Sequence, residues 1–239
     1  MSEVDYDPLS SKREKLLVRL IPYIQKQGIS QMKMEDAAKC MDISKATLYK
    51  YFDSKDEIVG RLLEQYVQFL SNLILLEAPQ NLSSERISQP SEEELKVYNE
   101  SFAKVFRMMI KQTFFLTDIL LQDLLNGSYP QLSVKLTQAL DQFQKKLVAY
   151  FDSGIEFGMF YPIANTQIYL VQMDLMIRKL MDPKWLMMQN MTLKQALMGF
   201  YKAMKHQIFY EKWICENDSD IEAFLDKLIM DKLIMEKLS

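Results

Sequence analysis

Between Lys12 and Gln27 the apolar residues Leu16, Leu17, Leu20, Ile21 and Ile24 return every three or four positions, the spacing that lines one face of a helix. Gly28 follows where a helix commonly stops. The pattern predicts a short second helix from about Met34 to Cys40 and a third from Lys45 to about Phe52, with Ser44 as its cap and Asp42 in the turn between them. Ser54-Lys55-Asp56-Glu57 has the form of a capping box and opens a fourth helix, whose apolar positions Ile58, Leu62, Leu63, Tyr66, Val67 and Leu70 carry on to about Leu76. Glu77 to Pro90 is polar and bounded by Pro79 and Pro90, so it reads as the longest loop, and a second capping box, Ser91 to Glu94, follows it. Helices are then predicted over 91–111, 113–126, 131–157, 163–181 and 191–214, broken by Asn126-Gly127, by Gly158 with Pro162 and by Asp182-Pro183. No segment alternates with period two for long, so the expected fold is all-α with no sheet. At the end, Asp226-Lys227-Leu228-Ile229-Met230 recurs as Asp231 to Met235 and decays into Glu236-Lys237-Leu238. Five residues advance a helix by ~500°, which spreads the apolar residues of the repeat around the axis, and the tail is expected to dock.

Composition narrows the classes. With 49% apolar and 26% charged residues the 239-residue chain is globular, and 6 Gly and 7 Pro leave few turns and long helices. Cys40 and Cys215 are the only cysteines and His206 the only histidine, which excludes a disulfide framework and leaves no metal set. No metal and no cofactor are therefore expected. Without a second histidine, a reactive cysteine setting or a Gly-rich phosphate loop, no catalytic residues are assigned and an enzyme is not expected. No apolar run approaches the about 20 residues that span a bilayer, and Met1 to Ser11 is acidic where a signal peptide is basic, so a cytoplasmic protein with no membrane partner is expected. The net charge of −3 conceals an asymmetry. Residues 12–55 carry ten Lys or Arg against five acids and are net +5, whereas residues 1–11 are −3 and 56–239 are −5. A cationic block on an acidic body suggests two jobs, one of them with a polyanion.

The stretch from Gly28 to Glu57 resembles the DNA-binding domain of the tetracycline-repressor (TetR) family. The strongest part is Ile43 to Lys55: an apolar residue, Ser44, the small Ala46, then Thr47-Leu48-Tyr49, a variable position, Tyr51, Phe52 and Ser54-Lys55. The likeness covers residues 12 to 66 at the level of motifs. Three positions depart from the family pattern: Asp42 stands where glycine is usual, Met32-Lys33 where Thr or Ser caps the second helix, and Ala37 where a larger aliphatic is common. Asp tolerates a left-handed turn at a cost of ~1 kcal/mol and a missing cap costs about as much, so a second helix that frays more easily is expected. The resemblance implies an N-terminal three-helix helix-turn-helix DNA-binding domain, residues 1–56, joined through helix 4 to a larger C-terminal helical ligand-binding and dimerisation domain, residues 57–239. It implies a one-component transcriptional regulator of the repressor kind, with three partners. These are double-stranded operator DNA of palindromic sequence, a small apolar or amphipathic inducer that releases it, and a second copy of the chain held through the C-terminal helices.

Physical chemistry assigns roles within that frame. A helix-turn-helix offers the first turns of its second helix to base edges while neighbouring elements hold phosphates. Ser44, Lys45, Ala46 and Thr47 lie at that start and Lys50 one turn past Ala46, while Leu48 and Phe52 share the inward face. Lys45 and Lys50 suit guanine acceptors, and the methyls of Ala46 and Thr47 suit thymine. Tyr49 and Tyr51 offer hydroxyls to phosphates, and Lys55 adds a charge beside the free N–H groups that open helix 4. In the acidic remainder, Met and aromatic residues recur over 102–116, 143–151 and 169–173, either as plain core or, as the resemblance implies, lining an adaptable apolar pocket. The pocket candidates are Phe106, Met109, Phe115, Phe143, Leu147, Tyr169 and Met173, with Asp174 or Gln172 to orient a ligand. Asp174 and Arg178 are four apart and expected to pair, and His206 is read as a solvated or interface residue. Helices 163–181 and 191–214, with Trp185 and Trp213 near their junctions, carry the apolar residues for an intersubunit four-helix bundle. The competing reading is a helical protein-interaction module that keeps a DNA-binding-like head and has no small-molecule inducer.

Overall fold

Leu16, Leu17, Leu20 and Ile24 are all buried on one side of α1, Pro8–Gln27, in the computed structural model, which describes residues 8–77 and 90–238. The helix ends as its sequence requires, at Gly28 with φ 75°. α2, Met34–Cys40, has no Ser or Thr at its start; instead the Lys33 N–H donates to the Asp36 carboxylate at 3.0 Å, one half of a capping box. Asp42 does adopt the left-handed conformation, φ 55°. Around it the Asp42 N–H donates to the Lys39 carbonyl at 3.1 Å and the Ile43 N–H to the Ala38 carbonyl at 3.0 Å, the paired bonds of a Schellman stop. Because an L residue strains there, Asp42→Gly is expected to raise the unfolding free energy by ~1 kcal/mol, read from the urea midpoint at unchanged slope.

α3 is shorter than the sequence pattern predicts: Lys45–Leu48 rather than Lys45 to Phe52. Past Leu48 the chain tightens, with the Lys50 and Tyr51 N–H groups donating to the Thr47 and Leu48 carbonyls three residues back. That tightening keeps Leu48 and Phe52 buried together. α4, Lys55–Glu77, starts on the Ser54 hydroxyl, which accepts from the Glu57 N–H at 3.1 Å. The Glu57 carboxylate reaches past Ser54 to the Asp53 N–H at 2.7 Å, so the expected box is displaced by one residue. The predicted loop from Glu77 to Pro90 lies almost entirely outside the described residues.

Both halves of the second box form, Glu94 N–H to Ser91 Oγ at 3.2 Å and Ser91 N–H to the Glu94 carboxylate at 2.8 Å, and α5 runs Glu92–Phe115. α6 is Asp118–Leu125, capped by Thr117, and α7 is Pro130–Glu156. α8, Thr166–Leu180, begins later than predicted because the Asn165 side chain caps it, accepting from the Ile168 N–H at 2.9 Å. α9, Pro183–Met188, was not expected from the pattern; Asp182 caps it and Pro183 occupies its first position. α10, Leu193–Ile208, stops short of residue 214 at Phe209, which turns extended and pairs with Phe160 in an isolated bridge, the one strand-like pairing among the described residues. A single 3-10 turn, Glu211–Trp213, precedes α11, Ser219–Leu238, so the repeated tail is helical, with Ile221, Leu225 and Leu228 buried.

The chain forms two compact units. One holds the described residues up to Gln68, Phe115–Thr137 and the described residues from Lys232 onward; the other holds Phe69–Phe114 and Gln138–Asp231. A boundary after residue 56 therefore falls inside the first unit, which also takes in α6. In the second unit, buried Asn99 donates to the Leu95 and Trp213 carbonyls at 2.8 and 2.9 Å and accepts from the Cys215 N–H at 3.0 Å. Buried Lys205 donates to the Cys215 carbonyl and to the Asp218 carboxylate, the latter at 2.7 Å. These bonds pin the segment between α10 and α11 onto α5 and α10.

Candidate nucleic-acid interface

The turn Met41–Ser44 delivers α3 with its start exposed and its far side closed. The Ser44 hydroxyl accepts from the Thr47 N–H at 3.0 Å and lies 2.8 Å from the Thr47 hydroxyl, so both side chains fix the first turn. Ala46, Tyr49 and Lys50 are exposed, and the Lys50 ammonium makes no hydrogen bond or ion pair among the described residues. Lys45 is placed otherwise than the sequence suggests: its ammonium is paired with Glu35 of α2, each side chain being about half exposed, 51% and 58%. The hydrogen bond from Lys45 holds the Glu35 carboxyl below its usual range and, in return, Glu35 pushes the Lys45 amine up, so the pair is charged across physiological pH.

Two cations of α1 frame the end of α3. Lys12 stands over the Tyr51 ring at 5.6 Å, and Arg13 Nε donates to the Tyr51 carbonyl at 3.0 Å. Lys55 donates to the Ser30 carbonyl at 2.9 Å, which ties the start of α4 to the turn between α1 and α2. That turn is held a second time from α6. The Asp123 carboxylate accepts from the Ile29 N–H at 2.5 Å, the Ser30 N–H at 2.8 Å and the Ser30 hydroxyl at 2.5 Å, and Asn126 Nδ2 reaches the Ser30 hydroxyl at 3.3 Å. Burial alone pushes the Asp123 carboxyl up, but these donors and the nearby Lys55 charge outweigh it and hold it below its ordinary value. Glu35, Lys12, Arg13, Ser30 and Asp123 carry no sequence signal of their own in this role. Of these, only Glu35 faces α3 directly as a counter-charge.

The apolar candidates of the C-terminal region separate. Phe106, Met109, Phe143, Leu147 and Met173 are buried, and Tyr169 half-buried, in the second unit; Phe115 belongs to the first. Asp174 is committed, accepting from Arg178 at 2.8 Å and from the Thr113 hydroxyl at 3.4 Å, and Gln172 is exposed, so neither is placed to orient a buried ligand as the sequence suggested. α8 presents Ile168, Val171 and Leu175 outward, 58%, 47% and 60% exposed, at the spacing of one helix face. His206 is exposed on α10. Among the described residues no helix is long and apolar enough to cross a membrane.

Residues 23–62 match the sequence profile of the family described as bacterial regulatory proteins, tetR family. Solved structures share the fold along most of the chain. The ketosteroid transcriptional regulator KstR2 of Mycobacterium tuberculosis has a TM-score of 0.56 at 21% identity, covering 84% of this chain and 96% of its own. A TetR transcriptional regulator from Chloroflexus aurantiacus reaches 0.54 at 11% identity over 84% and 98%, and PfmR, a TetR family regulator of Thermus thermophilus, 0.53 at 17% over 79% and 96%. No curated protein matches the sequence.

Proposed function

We propose that this chain, whose residues 23–62 match the tetR family of bacterial regulatory proteins, is a ligand-released repressor that acts in the cytoplasm and binds a palindromic operator as a homodimer. The observation that carries this reading is the exposed first turn of α3, fixed by Ser44 and Asp42 and leaving Ala46, Tyr49 and Lys50 open to a duplex. Lys50 with the Ala46 and Thr47 methyls reads base edges; Tyr49, Tyr51 and Lys55 hold phosphates, with Lys12 beside them. Lys45 contributes less than its position suggests, because Glu35 already neutralises it. Selection of bound duplexes from a random pool, followed by gel-shift titration of the recovered sequence at several salt concentrations, tests the reading. A palindrome whose affinity falls steeply with salt supports it, and no enrichment overturns it.

Residue roles separate by their effect on specificity. Lys50→Ala is expected to change preference at one or two positions per half-site, by ~1–3 kcal/mol for a good bidentate contact. Tyr49→Phe and Lys55→Ala are expected to weaken all duplexes alike. Glu35→Gln is expected to tighten all duplexes and to steepen the salt dependence by about one released counterion per half-site, as Lys45 becomes available.

The homodimer uses α8 and α10. An outward stripe of Ile168, Val171 and Leu175 is apolar surface of the kind that a second copy covers, and Gly199 on α10 leaves open space where a side chain would stand. Ile168→Glu with Leu175→Glu is expected to convert a dimer into a 28.2 kDa monomer in light scattering and to abolish operator binding. Ligand bound within the second unit favours a dimer whose heads no longer match two major grooves ~34–36 Å apart, by population shift.

A further inference from the structure

Aromatic rings of the second unit touch in one continuous group. Phe160 packs edge-on against Tyr98 at 5.9 Å between ring centres, against Tyr150 at 5.5 Å and against Phe209 at 4.8 Å. Phe151 meets Phe160 at 6.0 Å and Tyr169 at 5.5 Å. Tyr98 from α5 and Tyr169 from α8 therefore stand on one two-ring platform, Phe151 and Phe160, although neither chain distance nor periodicity links them. The platform is tightly seated: a Cβ on Gly154 would come within 2.1 Å of the Phe160 ring.

The hydroxyls of this group are not equivalent. Tyr150 pairs with the Ser101 hydroxyl at 3.2 Å, which itself bonds the Tyr98 carbonyl at 2.8 Å. The Tyr98 and Tyr169 hydroxyls are buried and have no hydrogen-bond partner among the described residues. Tyr98 as a whole is 1% exposed. A phenol kept dry and unpaired costs the protein its desolvation, a cost that persists only if something else recovers it. Burial pushes both phenols up, Tyr98 also through Glu94, so both are neutral hydrogen-bond donors at any physiological pH. Tyr201 joins the group through Phe102 and Phe209, and the ammonium over its ring, Lys205 at 5.6 Å, is paired with Asp218 and offers no free charge to an anion. Ring faces are largely met by the edges of neighbouring rings, which leaves no open aromatic box for a cation.

Resting on the ligand-binding reading above, we infer that the Tyr98 and Tyr169 hydroxyls are the polar end of the effector site, and that the effector is an uncharged apolar molecule carrying a carbonyl or ester oxygen that accepts from them. Specificity follows from the asymmetry of hydrogen bonding. A hydrocarbon of the same shape leaves the two donors unpaired, and an anion or a quaternary ammonium brings a charge that nothing in the group balances.

The test uses the full-length protein without DNA and 6-propionyl-2-(dimethylamino)naphthalene, an uncharged probe whose ketone oxygen accepts hydrogen bonds and whose emission moves to longer wavelength when it does. The wild type is expected to bind it with hydrogen-bonded emission. Tyr98→Phe and Tyr169→Phe are each expected to weaken binding about five-fold and to shift the emission to shorter wavelength, while the melting temperature stays level or rises because an unpaired buried group has been removed. Tyr150→Phe, which breaks the bond to Ser101, is expected to lower the melting temperature and serves as the internal contrast. Failure of the probe to bind, emission unchanged in the double Tyr98→Phe, Tyr169→Phe variant, or a fall in melting temperature in both single variants each overturns the inference. Displacement of the probe by tetraethylammonium in preference to uncharged ketones overturns it too. Because operator is absent, loss of DNA recognition leaves these outcomes untouched. A ketone that binds as expected but leaves operator affinity unchanged overturns the regulatory reading alone.

Discussion

Gly28→Ala is expected to lower the unfolding free energy by ~2–5 kcal/mol and to weaken operator binding in parallel. Two causes add. At φ 75° a Cβ strains the backbone by ~1–2 kcal/mol, and this one would meet the Asp123 carboxylate at 2.3 Å and Ile119 at 2.7 Å, an overpacking that costs ~1–3 kcal/mol. The cycle with Asp123→Ala separates them. Asp123→Ala alone strips an acceptor from three donors and is expected to cost ~2–3 kcal/mol, but in its background the Gly28 change loses its main clash and costs mostly the backbone strain. Strict additivity in urea unfolding would show that the turn and α6 do not act on each other. The pH dependence has a definite sign. The folded carboxyl sits below its ordinary value of 3.8, so its contribution is fully present above pH 3.8 and is lost as pH falls through the lower folded value. The stability gap between wild type and Asp123→Asn is therefore expected to be constant near neutrality and to shrink only on acidification below pH 3.8.

Lys205→Ala is expected to be as damaging, at ~3–5 kcal/mol, because it leaves the Asp218 carboxylate buried without its counter-charge. The two side chains are 3% and 9% exposed, so water cannot take the place of the ammonium, and the Cys215 carbonyl loses a donor as well. Lys205→Met combined with Asp218→Leu removes both charges together and is expected to recover most of the loss. Urea unfolding of the three variants decides it: a double variant as unstable as the single would mean that the pair contributes through packing and not through charge.

Local signals make the helix-turn-helix legible in the sequence. Ser44 announces a cap, Leu48 and Phe52 an inward face, and Asp42 a left-handed stop, and each acts within four residues of itself. The same locality explains what the sequence does not reveal. Lys45 reads as a free cation until Glu35, ten residues earlier, is seen beside it. Asp123 sits 94 residues from Ile29 and is an unremarkable acid on a short helix, with nothing in its spacing to reveal three donors pointing at it. In the second unit, Phe106, Phe143 and Met173 were recognisable as apolar and buried because periodicity reports which face is inward. Periodicity does not report which hydroxyl finds a partner, so the sequence points to Asp174, which is already bonded to Arg178, or to Gln172 as the polar anchor and not to Tyr98 or Tyr150. α9 was hidden for another reason: six residues between Asp182-Pro183 and Asn190 are too few for a periodic pattern to emerge.

The composition of the first unit bears on how this fold can be recombined. Since α6 is compact with α1 to α3 and Asp123 closes the turn at Gly28–Ser30, the first unit is a discontinuous one: the described residues up to Gln68, Phe115–Thr137 and the described residues from Lys232 onward. A chimera spliced at residue 56 or 68 alone would place Ile29 and Ser30 opposite a foreign helix, with two backbone donors dependent on whatever that helix carries. Grafts onto another helical domain should therefore keep the turn closed where the recipient supplies an acid at the place of Asp123, or where α6 travels with α1 to α3.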